Sequence, residues 1–120
     1  MSSFTTPLDI RFHSVPLKEK PFELLSDFSF YYGDVLITAP KGYRTDFASI
    51  PRFFHRLMPP IGIHGKAAVI HDIICDAEDH FGYTYKEAAE VFNEAMKVLG
   101  VKGWRRKTMV QAVIRFGPRF

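Results

Sequence analysis

A change of hydrophobic period part-way along the chain does most to narrow its fold. Before Thr45, apolar side chains recur every second residue in short runs, as in Phe28-Ser-Phe30-Tyr-Tyr32. After Lys66 they recur every three or four, as in Ala67, Ile70, Ile73, Ile74 and Ala77. The first spacing belongs to strands and the second to helices. Strands grouped ahead of helices predict an α+β fold, with N-terminal antiparallel hairpins packed on about three C-terminal helices, rather than a wound parallel sheet. Leu8–Phe12, Phe22–Leu25 and Phe28–Tyr32 read as strands. Gly33-Asp34 folds Phe28–Thr38 into a hairpin, and Pro40-Lys-Gly42 turns the chain again before Tyr43-Arg44-Thr45. A helix is expected over Lys66–Glu78. A second opens at Thr84 with a capping box to Glu87, runs to Leu99 and stops at Gly100. The third spans Trp104–Phe116 and ends at Gly117-Pro118.

Between the halves lie Pro51, Pro59, Pro60, Gly62 and Gly65, which break any long element, among too many apolar residues for a solvated loop. One domain is therefore expected: β-rich over 1–45, a structured connection over 46–66, and helical over 67–117. At 120 residues and 47% hydrophobic, the chain can bury a core without disulfide or metal staples. Its 12 Phe against a single Trp predict a core packed with rings. A lone cysteine, Cys75, excludes an internal disulfide framework and fits a reducing compartment or a disulfide-free particle. No apolar run approaches the roughly 18 residues of a membrane span. The first residues have neither the basic nor the apolar region of a secretory signal.

The net charge of +3 is unevenly spread. From Asp72 to Glu94 the acids Asp72, Asp76, Glu78, Asp79, Glu87, Glu90 and Glu94 meet only Lys86. From Lys97 onward there are only bases: Lys97, Lys102, Arg105, Arg106, Lys107, Arg115 and Arg119. Either the two regions pair with each other, or the basic end meets a polyanion. Arg105, Arg106 and Arg115 do not share one helix face, which ranks nucleic acid last among partners.

His71-Asp72 is the polar pair inside an otherwise apolar helix. Adjacent helical positions point about 100° apart, so the two side chains can line two walls of one cleft. Cys75 shares the face of His71, and Asp76 that of Asp72. If the next helix packs antiparallel, Glu90 can reach His71, orient its imidazole and raise its basicity. Asp72 and Asp46 could then bind a hard divalent cation through oxygen. The plainer expectation makes His71 a core or boundary residue, Cys75 a small hydrophobe, Glu87 a cap, and Asp76, Glu78 and Asp79 a solvated helix end. Zinc-type ligand spacings, a glycine-rich phosphate loop and a nucleophile elbow are all missing.

Lys41-Gly-Tyr-Arg-Thr-Asp-Phe-Ala-Ser-Ile-Pro51, Pro59-Pro60, Ala67-Ala-Val-Ile-His-Asp72, Ala88-Ala-Glu-Val-Phe92 and Ala95-Met-Lys-Val-Leu-Gly100 together resemble the phage-associated domain of unknown function 1353, over roughly Phe28 to Gly117. That resemblance implies a phage or prophage origin, a place in the host cytoplasm or the virion, and a focus on Thr45, Asp46, Ser49, Pro51, His71 and Asp72. The family more often has an aromatic at Cys75 and Asp at Glu90. The His71-Asp72 pair followed by Ala88-Ala-Glu90-x-Phe92 is also similar to the two-helix core of secreted calcium-dependent phospholipases. By that similarity His71 is the base that activates water, Asp72 a calcium ligand and Glu90 the orienting acid. Gly42–Asp46 is then the substitute for their glycine-rich calcium loop. Three readings follow: a metal-dependent hydrolase of ester or envelope substrates; a non-enzymatic phage accessory or virion protein that binds phage structural proteins; and a binder of nucleic acid or anionic surfaces through the basic C-terminal helix, with Trp104, Arg105, Arg106, Lys107, Arg115 and Arg119.

Overall fold

The computed structural model describes residues 2–46 and 63–120. Six short strands precede three helices: β1 (Ser3–Phe4), β2 (Ile10–Phe12), β3 (Phe22–Leu24), β4 (Phe28–Tyr32), β5 (Val35–Ala39), β6 (Arg44–Thr45), α1 (Ile63–Asp76), α2 (Tyr85–Val98) and α3 (Gly103–Phe116). The strands form two antiparallel three-stranded sheets, ordered β1-β4-β5 and β2-β3-β6, so the expected α+β arrangement is the one observed.

The β4–β5 hairpin pairs Tyr32 with Val35 and Phe28 with Ala39. Gly33 makes its turn at φ +58°, a left-handed backbone that glycine enters without steric cost. The hairpin reaches one residue past the expected Thr38. Alternation places Phe28, Phe30, Ile37 and Ala39 on the buried face. Val69, Ile70 and Ile74 of α1 meet that face, with Phe92 and Met96 of α2 and Met109 and Val113 of α3, in one continuous core. Helix α1 packs on β5, and α2 on β4, on α1 and on α3.

Helix α1 starts at Ile63 rather than at Lys66, so the connection is shorter than the sequence implied. Gly65 lies inside the helix as a buried residue, where its lack of a side chain had suggested a break. At the other end of α1, His80 and Phe81 take left-handed backbone angles of φ +52° and +55° ahead of Gly82. The Asp79 carboxylate accepts the Phe81 N–H at 3.0 Å and holds that tight turn. Thr84 and Glu87 form the expected capping box at the start of α2. No helix among the described residues is long and apolar enough to cross a membrane.

The acidic and basic stretches do not pair with each other. Among the described residues the ion pairs are His13–Glu23 and Lys20–Asp76. The basic end turns to other partners. Arg106 donates to the Val101 carbonyl at 2.7 Å and to Asn93 Oδ1 at 3.3 Å. Arg119 stacks on the Tyr85 ring and donates to its hydroxyl.

Candidate functional site

The polar centre lies where β6 meets α1. Backbone pairing to β3 fixes the Tyr43–Thr45 segment: Leu24 N–H donates to the Tyr43 carbonyl at 2.9 Å, and Thr45 stands opposite Phe22. Two residues apart on an extended chain, Tyr43 and Thr45 face the same way. On α1, Asp72 and Asp76 are four residues apart and also share a face. The two faces meet in two hydrogen bonds. Thr45 Oγ1 donates to Asp72 Oδ2 at 2.5 Å, and Tyr43 Oη donates to Asp76 Oδ2 at 2.6 Å. Lys20 Nζ lies 3.5 Å from the same Asp76 oxygen. Thr45 and Asp72 are buried, at 2% and 6% exposure. Burial, with the Asp72 and Asp76 charges beside it, holds the Tyr43 phenol far above its ordinary value, so it remains a donor.

His71 turns to the neighbouring face of α1. It is 3% exposed, with its ring 5.2 Å from that of Phe92. Cys75 Sγ lies 3.7 Å from Nδ1 and 3.9 Å from Nε2. Burial brings the His71 pKa down to about 4, so the imidazole is neutral at pH 7. Burial, then the Asp72 and Asp76 charges, pushes the Cys75 thiol up to about 12. The His-Cys contact is therefore not a poised nucleophile pair, because the thiolate that would react is scarce. Chemically, the centre offers a neutral imidazole able to take a proton and a buried carboxylate already engaged by a hydroxyl.

Glu90 departs from its expected role. Phe92 is the α2 residue that meets His71, and Glu90 lies two positions earlier, about 200° around the helix. It is exposed and lines a cleft of about 460 Å³ between α2 and α3, together with Tyr32, Asn93, Glu94 and Arg106. Helical phase thus turns it away from the imidazole it was expected to orient. Asp46 follows Thr45 and is half-buried. Ser49 and Pro51 lie outside the described residues. Among the described residues no three or more His, Cys, Asp or Glu side chains converge as metal ligands. A hard cation such as calcium takes six to eight oxygens.

Asp76 is the exposed last residue of α1, the solvated helix end that was expected, and there it also accepts from Tyr43 and Lys20. Tyr43 and Phe92 are the contributors that sequence reasoning overlooked. The signal for Tyr43 was available: it precedes Thr45 by two residues, as Asp76 follows Asp72 by four.

Residues 22–113, the stretch that carries both the Tyr43–Thr45 segment and the His71-Asp72 pair, match the family described as "Protein of unknown function (DUF1353)". The chain belongs to DUF1353. This DUF1353 chain is 40% identical over 100 residues to the uncharacterized protein y4jT of Sinorhizobium fredii, covering 81% of the chain and 29% of that protein. It is 38% identical over 85 residues to the uncharacterized protein y4iH of the same organism, covering 67% of the chain and 33% of that protein. The DUF1353 chain thus spans about a third of the length of the curated relatives it matches. No solved structure matches it.

Proposed function

We propose that this protein is a non-enzymatic accessory or virion component of phage or prophage origin, and that Thr45, Asp72 and His71 serve it as a buried clasp between the β-layer and the first helix. The observation that carries the reading is the Thr45 Oγ1–Asp72 Oδ2 bond, which joins residues 27 apart in sequence and lies inside the protein. A buried carboxylate is costly without a donor, and here a strand supplies one. Glu90, which a catalytic arrangement would need beside His71, faces the opposite cleft instead.

A second reading, a calcium-dependent hydrolase of ester or envelope substrates, draws support from the neutral His71. A general base must be unprotonated at its working pH, and burial keeps this imidazole so. In that reading Asp72 and Asp46 hold the cation. Thermal melts separate the two. The protein is melted in EDTA and then with calcium, magnesium, manganese or zinc, beside Thr45→Val, Asp72→Asn and the double variant. The clasp predicts no ion-specific shift. It also predicts that each single variant is destabilised by roughly 1–3 kcal/mol, and the double variant by much less than the sum. A saturable rise with one ion that Asp72→Asn abolishes would replace the clasp with the hydrolase.

A further inference from the structure

The cleft between α2 and α3 has a volume of about 460 Å³, within the roughly 300–1,000 Å³ of small-molecule sites. On α2 it is lined by Glu90, Asn93 and Glu94, and on α3 by Gly103, Arg106 and Lys107. Both sets follow the i, i+3, i+4 spacing of one helix face, so the α2 wall is acidic and the α3 wall basic. The walls nevertheless do not neutralise each other. Among the described residues, Glu90, Glu94, Arg106 and Lys107 take part in no ion pair. Glu90 and Glu94, one turn apart, are like charges on one face, an arrangement that disfavours the empty helix. Arg106 is held in place: Nη1 donates to the Val101 carbonyl at 2.7 Å and Nε to Asn93 Oδ1 at 3.3 Å, which leaves Nη2 with no acceptor among the described residues. Tyr32 adds a hydroxyl from β4 that makes no hydrogen bond among the described residues. Burial, then the charges of Glu90, Glu94 and Glu87, raises this phenol above its ordinary value, so it stays protonated at the acidic side of the cleft.

We propose that this cleft binds a small ligand carrying both an ammonium and a carboxylate, an amino acid or a short peptide, with the ammonium on Glu90 and Glu94 and the carboxylate on Arg106 and Lys107. A ligand of one sign fits less well. A phosphate would meet Arg106 and Lys107 but face two carboxylates, and a metal ion would find only two acids opposite two cations. A dipolar ligand satisfies both walls at once, and the preset guanidinium offers its remaining N–H groups to a carboxylate without first being ordered. Val110 and the Tyr32 ring supply apolar lining for a side chain. The cleft lies on the side of α2 away from His71, and its occupation does not depend on the Thr45–Asp72 clasp.

Backbone amide NMR of the isotopically labelled protein tests this. The common amino acids and their glycyl dipeptides are titrated one at a time, each beside its N-acetylated and its C-amidated form. At least one is expected to give a saturable shift of the Asn93, Glu94, Arg106 and Lys107 amides, with either cap weakening its binding by about tenfold or more. Whether a free amino acid or a dipeptide binds more tightly distinguishes the two sources. Glu90→Gln/Glu94→Gln should remove the penalty for acetylation, and Lys107→Gln should reduce the penalty for amidation. These side chains make no hydrogen bond or ion pair within the protein, so the variants should melt with the wild type. No saturable shift with any amino acid or dipeptide overturns the proposal, including the case in which calcium or magnesium alone moves Glu90 and Glu94. So does equal binding of the capped compounds, or an acetylation penalty that survives in Glu90→Gln/Glu94→Gln.

Discussion

At the scale of single residues, His71 links the core to pH. Its imidazole has a pKa of about 4 when folded, against an ordinary value of 6.5. As pH falls through that window, the unfolded chain takes up a proton that the folded chain refuses. Stability from this group is therefore fully present above pH 6.5 and is lost progressively toward pH 4. The expected loss between pH 7 and 4.5 is about 2 kcal/mol from this residue alone. Urea unfolding of the wild type and of His71→Gln at the two pH values isolates it: the wild type should lose that much more than the variant, whereas parallel curves would mean that the buried ring titrates normally. Asp72 differs in kind. It accepts the Thr45 hydroxyl, and both partners must be changed together to learn what that bond contributes.

Among elements, α2 depends most on its first turn. Thr84 and Glu87 satisfy each other's backbone donors, so Thr84→Ala should cost about 1 kcal/mol, measured by thermal melting with Glu87→Ala alongside. The two losses should overlap rather than add, because each variant breaks the same box. This box, the hairpin turn at Gly33 and the stop at Gly100 were legible in the sequence because each is a local contest settled within a few residues. Helix phase was legible too, from Ala88, Val91, Phe92 and Ala95. The pairing of Ser3–Phe4 with Phe30–Tyr31 was not, because two residues carry no period and the contact spans a long stretch of chain. The split into two sheets was hidden for the same reason. In the site, Thr45, His71 and Asp72 stood out as polar residues in apolar settings. Glu90 misled, because an acid one turn along a helix is easily assigned to the wrong face when the neighbour's direction is unknown. Only the contact between the His71 and Phe92 rings fixes that direction.

Across the whole molecule, the sheets and helices share one core, in which Phe28, Phe30 and Ile37 pack with Ile70, Phe92 and Met109. Urea unfolding followed by near-ultraviolet dichroism of the rings and by far-ultraviolet dichroism of the backbone should therefore give coincident transitions. Separate midpoints would show that the β-layer can leave the helices intact. What couples the layers most exactingly is the double contact of Tyr43 with Asp76 and of Thr45 with Asp72. Two residues of strand advance about 6.6 Å and four residues of helix about 6 Å. The two repeats are nearly commensurate, so the joint behaves as a vernier. It closes at both marks in one alignment, and sliding either element by a single residue swings its contact side chains away and opens both marks at once. A chain built this way measures its own register, and it can tolerate changes of side chain near the joint more readily than an insertion or deletion within it.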